Sequence, residues 1–256
     1  MAYLQVKNAD IYFEVVGAGQ ALLFAHGLGG NHLSWWQQVP HFKDRFTCIT
    51  FAHRGFYPSR GPADPERNGD DLVELLDHLG IADVVLIAQS MGGWGCVEFA
   101  ITHPERVRAI VLADTVGTLR FPEEDGAPVL PSRAPEMIQK GIHPACGERM
   151  AREQPFLHYL YREIDALSLD LDKGAVLETL SRLRRTPPQA LSMHDHRLMW
   201  IWGMEDVVLL PSLVELARRH FPNARIELIP EAGHSVYFER PGIFNALVDD
   251  FLNANN

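Results

Sequence analysis

The sequence predicts an α/β fold: a mostly parallel, eight-stranded sheet flanked by helices, with a helical cap inserted after the strand that ends at Ala113. Three observations predict it. Short apolar runs such as Ala21–Ala25, Val84–Ala88 and Ala109–Ala113 show no polar alternation, the mark of strands buried on both faces. Segments with apolar residues at helical spacing lie between these runs, and such alternation implies parallel pairing through right-handed crossovers. From Gly117 to Pro188 the strand rhythm stops, and a proline-rich stretch with several charged, helix-like segments takes its place.

In chain order, Leu4 to Val16 reads as two extended pieces around a turn at Asn8-Ala9-Asp10, an antiparallel hairpin at one edge of the sheet. Gly17-Ala18-Gly19 ends it. Ala21–Ala25 is the first buried strand and runs into His26-Gly27-Leu28-Gly29-Gly30. Trp35–Phe42 is short helix or irregular chain, and Phe46–Phe51 is the next strand. Leu72, Val73, Leu75, Leu76 and Leu79 fall at helical spacing within Asp70–Leu79. The run Val84–Ala88 then meets Gln89-Ser90-Met91-Gly92-Gly93 and a helix-compatible segment from Trp94 to Ala100. Within Gly117–Pro188, helices are expected near Ala145–Gln154, Phe156–Asp165 and Lys173–Leu183. Strands return at Leu198–Trp202 and Arg225–Ile229, with helices at Pro211–Phe221 and Gly242–Leu252. The expected division is therefore a core of residues 1–116 and 189–256, with a cap of residues 117–188.

Composition narrows the function. Of 256 residues, 46% are hydrophobic and 22% charged, a mix that supports one large core, and the formal net charge is −10. The dense basic runs, Arg182-Leu183-Arg184-Arg185 and Arg218-Arg219, read as solvated helix faces, so no nucleic-acid partner is expected. Cys48, Cys96 and Cys146 have no disulfide or zinc spacing. His194-Asp195-His196 lacks the helical facing of a metal pair and reads as loop. No apolar run approaches the ~18 residues of a membrane span. The N-terminus lacks the charged-then-apolar layout of a secretory signal. The expectation is a cytoplasmic protein without metal, cofactor or membrane partner.

Ligands of parallel sheets sit beyond the carboxyl ends of the strands, so the residues just after each strand matter most. Those residues are His26 with its glycines, Ser90, Asp114, Glu205-Asp206 and His234. Acyl transfer needs a hydroxyl nucleophile, a base to take its proton, and a carboxylate to hold the base. Ser90 stands where an apolar strand turns abruptly into a small-residue helix start, a bend that presents a serine hydroxyl.

The chain resembles the α/β-hydrolase superfamily. The resemblance rests on His26-Gly27-Leu28-Gly29-Gly30, Arg54-Gly55, Ser90-Met91-Gly92-Gly93, His103-Pro104-Glu105-Arg106-Val107, Trp202-Gly203-Met204-Glu205-Asp206 and Gly233-His234. Each motif is weak alone, but their order and intervals over nearly the whole chain are jointly specific. The chain departs from the family pattern at Ala88, where the elbow has glycine, and at Ala52 and Tyr57 in the loop around Arg54-Gly55. The resemblance implies Ser90 as nucleophile, His234 as base and Asp206 as acid, with Asp114 the competing acid. It also places the helical cap at Gly117–Pro188. The backbone N–H groups of Leu28 and Met91 are the expected oxyanion donors, and His26 is expected to tie the loop down. Trp94, Phe121, Phe156 and Tyr159 are the expected substrate-binding residues, with Tyr161 a further aromatic of the cap; Trp35 and Trp36 are weaker candidates.

The function implied is a serine hydrolase, carboxylesterase-like, acting on a small-molecule ester or acyl compound as a monomer or homodimer. Rivals are an enol-lactone or carbon–carbon bond hydrolase with the same three residues, a ligand receptor, and a cofactor-free peroxidase or lyase. An epoxide hydrolase or haloalkane dehalogenase is disfavoured because those families carry Asp where this chain has Ser90.

Overall fold

The computed structural model describes residues 2–124 and 133–254. Residues 1, 125–132 and 255–256, which the expected core and cap ranges include, lie outside the described residues. The strands are β1 (Ala2–Val6), β2 (Ala9–Val16), β3 (Gln20–Ala25), β4 (Phe46–Phe51), β5 (Val84–Gln89), β6 (Val107–Ala113), β7 (Leu198–Gly203) and β8 (Arg225–Ile229). They form one eight-stranded sheet in the order β1-β2-β4-β3-β5-β6-β7-β8. β1 and β2 pair antiparallel, as do β2 and β4, and every later pair is parallel.

The central strands lack polar alternation because both faces of the sheet are covered there. In β5, Val84, Leu86 and Ala88 enter one core while Val85 and Ile87 enter the other. In β7, Trp200 and Trp202 face the first core and Met199 and Ile201 the second. The first core is closed by helices Asn68–His78, Gly92–Thr102 and Leu213–His220; the second by Trp35, Phe42 and the helix Pro241–Asn253. Each fully buried Leu, Ile or Phe contributes about 1.5–3 kcal/mol relative to exposure.

The hairpin turn falls on Lys7-Asn8, one position earlier than the sequence suggests. Asn8 takes a φ of +63°, which a tight hairpin turn favours at an asparagine, and Val6 pairs directly with Ala9. The structure adds three short α-helices that the sequence pattern does not predict, Ala134–Gln139, Gln189–Ser192 and Val236–Glu239. Four or six residues are too few for helical periodicity to register.

Between β6 and β7 the chain forms the helices Ala134–Gln139, Gly147–Glu153, Pro155–Ala166 and Lys173–Leu183. It leaves and returns at one place. Thr186 N–H donates to the Thr118 carbonyl at 2.9 Å, and Arg120 N–H to the Thr186 carbonyl at 2.8 Å. The helix Lys173–Leu183 settles over the turn after β5, where Trp94 Nε1–H donates to the Leu180 carbonyl at 3.0 Å. Among the described residues, no helix is long and apolar enough to cross a membrane.

Candidate active site

Ser90 sits at the tip of the bend between β5 and the helix Gly92–Thr102, with a φ of +47°. A side-chain-bearing residue in this region stores of order 1–3 kcal/mol of strain, which the surrounding packing must hold. Gly92 permits the bend, because a Cβ there would lie 2.3 Å from the Ala25 carbonyl oxygen.

His234, in the loop after β8, brings Nε2 to 2.8 Å from Ser90 Oγ. Its Nδ1 lies 2.7 Å from Asp206 Oδ2, in the loop after β7. The other oxygen of Asp206 accepts the N–H groups of Val208 and Leu209 at 2.7 and 2.9 Å. A carboxylate on Nδ1 requires the proton there, which leaves the Nε2 lone pair facing the serine hydroxyl. Burial alone lowers the basicity of His234. The charge and hydrogen bond of Asp206, with Asp114 and Glu239 behind them, outweigh it and raise the imidazole above its ordinary value.

Asp114 also carries a positive φ, +49°, at the end of β6. Its carboxylate turns to the backbone and accepts Gly203 N–H at 2.8 Å and Val236 N–H at 3.2 Å. The ring partner of His234 is thus Asp206, and Asp114 ties together the two loops that carry them. Complete burial, with the charge of Asp206 adding to it, pushes Asp114 up to about 7. Glu239 is a second buried carboxyl; both its oxygens accept Gly233 N–H, at 3.0 and 3.1 Å. Burial pushes it up to about 8, against the pull of those amide bonds. Glu205 turns away and pairs with Arg149 at 2.7 Å.

Leu28 and Met91 line, with Ser90, a cavity of about 530 Å³. Among the described residues, neither backbone amide donates to a protein acceptor. His26 braces the turn that carries Leu28. Its Nε2 accepts His53 N–H at 3.0 Å, so the proton resides on Nδ1 and goes to the Gly27 carbonyl at 2.8 Å. Burial holds this ring well below its ordinary pKa, hence neutral.

The cavity walls are largely apolar, with Trp94, Ile138, Tyr161, Leu177, Leu180 and Leu209 among them. Three of the expected substrate-binding residues are elsewhere. Phe121 is fully buried in the core beneath the sheet, 5.4 Å from the His220 ring. Phe156 and Tyr159 are 88% and 64% exposed. In the helix Pro155–Ala166 the inward face runs through Tyr161 and Ile164, and Phe156 and Tyr159 point outward. Trp35 is core, tilted against Tyr237 with ring centroids 4.3 Å apart, and Trp36 is surface. The sequence pattern does not reveal the helix Lys173–Leu183 as a wall. Lys173, Leu177, Leu180, Ser181 and then Arg184 all reach the cavity, at the spacing of one helix face. Arg184 is therefore not part of a solvated face. It is largely buried, donates to the Leu119 carbonyl at 3.1 Å and pairs with Glu124 at 2.8 Å. Lys173 pairs with Asp165 at 2.5 Å.

Where the loop after β4 departs from the family pattern, Arg54 is held by Asp71. Nε and Nη2 meet the two carboxylate oxygens at 2.7 and 2.5 Å, with both side chains nearly inaccessible.

Comparison with known proteins identifies the family. A family profile described as the alpha/beta hydrolase fold matches residues 20–241. A 3-oxoadipate enol-lactonase of Acinetobacter baylyi is 28% identical over 248 residues, covering 92% of this chain and 90% of the relative. An sn-1-specific diacylglycerol lipase of Mus musculus is 26% identical, covering 91% and 80%. Among solved structures, a thermophilic esterase from Thermogutta terrifontis superposes with a TM-score of 0.77 at 26% identity, covering 96% and 94% of the two chains. The profile match spans far more than half of the sequence, and the chain belongs to the α/β-hydrolase family of hydrolases.

Proposed function

We propose that the protein is a serine hydrolase that cleaves a carboxylic ester, or a related acyl compound, through an acyl-enzyme. The observation that carries this reading is the unbroken line Asp206–His234–Ser90, with contacts of 2.7 and 2.8 Å, ending on the floor of an apolar cavity. In this reading His234 Nε2 takes the hydroxyl proton as Ser90 Oγ attacks the substrate carbonyl. The amides of Leu28 and Met91 receive the developing oxyanion, where one such donor contributes about 3–4 kcal/mol to the transition state. The leaving alcohol takes the proton from His234, and water then repeats the sequence on the acyl-Ser90 ester. Asp206 keeps the imidazole in the productive tautomer and stabilises its charged form.

The test is a panel of nitrophenyl esters of increasing acyl length with the parent and Ser90→Ala. Cleavage by the parent and near-complete loss in the variant are expected. Equal rates in both would remove the proposed nucleophile. Binding of the esters without turnover would favour a receptor.

A lactone substrate is the second reading, favoured by the enol-lactonase relative aligned over nine-tenths of its length. The same residues would open a cyclic ester, and lactone rates exceeding those of open-chain esters of equal size would select it.

A further inference from the structure

Gln89 immediately precedes Ser90, is 1% exposed and touches three separate parts of the site. Its Nε2–H donates to the His234 carbonyl oxygen at 2.7 Å. A carbonyl only accepts, which fixes the orientation of the amide and turns Oε1 the other way. Oε1 lies against the turn that carries Leu28, so close that a Cβ on Gly27 would be 2.0 Å from it. Through its own backbone, Gln89 is covalently joined to the nucleophile. One side chain therefore spans the serine bend, the base loop and the oxyanion turn.

The arrangement is not what stability alone selects. Among the described residues Oε1 has no hydrogen-bond partner, and it is shut away from solvent. An unsatisfied buried acceptor is a cost that an apolar side chain of similar shape would avoid. The strand around it is otherwise apolar, from Val84 to Ala88. A polar residue held there against that cost has one evident return: a fixed distance between the backbones of Ser90 and His234.

We infer that Gln89 is a positioning residue, which sets the Ser90–His234 separation through its bond to the His234 carbonyl and spaces the oxyanion turn by contact at Gly27. Asp114 and Glu239 hold the amides of Val236 and Gly233, two residues after and one residue before His234, so the backbone around the base is tied on both sides in sequence. The inference rests on the serine-hydrolase reading above.

The test compares the parent with Gln89→Met and Gln89→Ala on a nitrophenyl ester, with active sites counted by fluorophosphonate titration and thermal unfolding followed in parallel. Met fills the same volume and removes both the bond and the orphan oxygen. The expected result is a fall in kcat per titrated site of about 10- to 100-fold, as an ångström-scale misplacement causes, with KM within about twofold and melting little changed. Gln89→Ala is measured the same way and decides the question should the Met variant not fold. A kcat per site within twofold of the parent overturns the inference, as does a loss that appears only in the number of folded sites. Ser90→Ala, run alongside, separates the two ideas. Full activity in that variant defeats the serine reading, whereas its inactivity together with an unimpaired Gln89→Met defeats only the role of Gln89.

Discussion

Replacing Asp206 by Asn should cost far more than the loss of one hydrogen bond. Asp206 uses one oxygen for the Val208 and Leu209 amides and the other for His234 Nδ1. An Asn side chain has one acceptor to offer. If its oxygen stays with the two amides, its NH2 donates to Nδ1 and forces the imidazole proton onto Nε2, towards Ser90 Oγ. The serine hydroxyl then has no base. If the amide flips to serve Nδ1, both backbone N–H groups lose their acceptor, at about 1–3 kcal/mol each. The first arrangement is the cheaper, so the variant should fold and be nearly inert. The wrong tautomer reduces kcat by about ten-thousand-fold, roughly 5 kcal/mol on the barrier. The assay is kcat for a nitrophenyl ester per folded protein, with thermal unfolding to show that the fold persists. A fall of less than about tenfold in an intact fold would refute the assignment of Asp206 as the group that sets the tautomer.

Other outcomes follow from the same geometry. Because His234 is raised above its ordinary value, kcat/KM should fall as pH drops through a midpoint above about 6.5, and a midpoint below about 6 would contradict the ring's environment. Glu239, up at about 8 when folded and near 4.5 when unfolded, contributes stability that is whole below pH 4.5 and lost as pH rises to 8. Glu239→Gln should therefore melt progressively better relative to the parent as pH climbs from about 5 to 8; a difference independent of pH would count against the raised carboxyl. Arg54→Met or Asp71→Leu alone should cost about 3–5 kcal/mol, some 6–20 °C in Tm, while the double variant should recover most of it. Additive losses in urea or thermal unfolding would show that the pair is not coupled. Leu180→Ala, above Met91 and Trp94, should enlarge the cavity and shift the ester preference towards bulkier acyl groups, at about 2–5 kcal/mol of stability. An unchanged preference profile would place the acyl group elsewhere.

Much of the sheet is legible in the sequence because its central strands β3, β5, β6 and β7 are buried on both faces, so their apolar runs are nearly continuous. The strand ends could be read for the same reason, and Ser90, Asp206 and His234 are all strand-end residues. Pocket walls are harder. Tyr159 and Tyr161 are two residues apart in one helix, and only the helix's docking face decides that Tyr161 is 2% exposed while Tyr159 is 64% exposed. Phe121 has the composition of a pocket aromatic and the position of a core one, because the chain has not yet left the sheet layer there. Arg184 lies in a basic run that resembles a solvent-facing stripe, and its partner Glu124 is sixty residues away. Gln89 and Glu239 carry no local pattern at all. Gln89 bonds a backbone carbonyl at His234, far along the chain, and Glu239 bonds backbone amides at Gly233 and Ser235 just before it, and sequence periodicity encodes neither contact.

The place where Thr118–Arg120 meets Thr186 works as a single doorway in the hydrolase framework. A stretch of some seventy residues passes out and back through it without disturbing the order of the strands. Ser90, Asp206 and His234 lie outside that excursion, whereas many of the residues lining the cavity, such as Ile138, Tyr161, Leu177 and Leu180, lie within it. On the proposed serine-hydrolase reading, selectivity and reactivity would be written on separable lengths of chain. An exchange of cassettes at these two threonines should transplant one without rewriting the other.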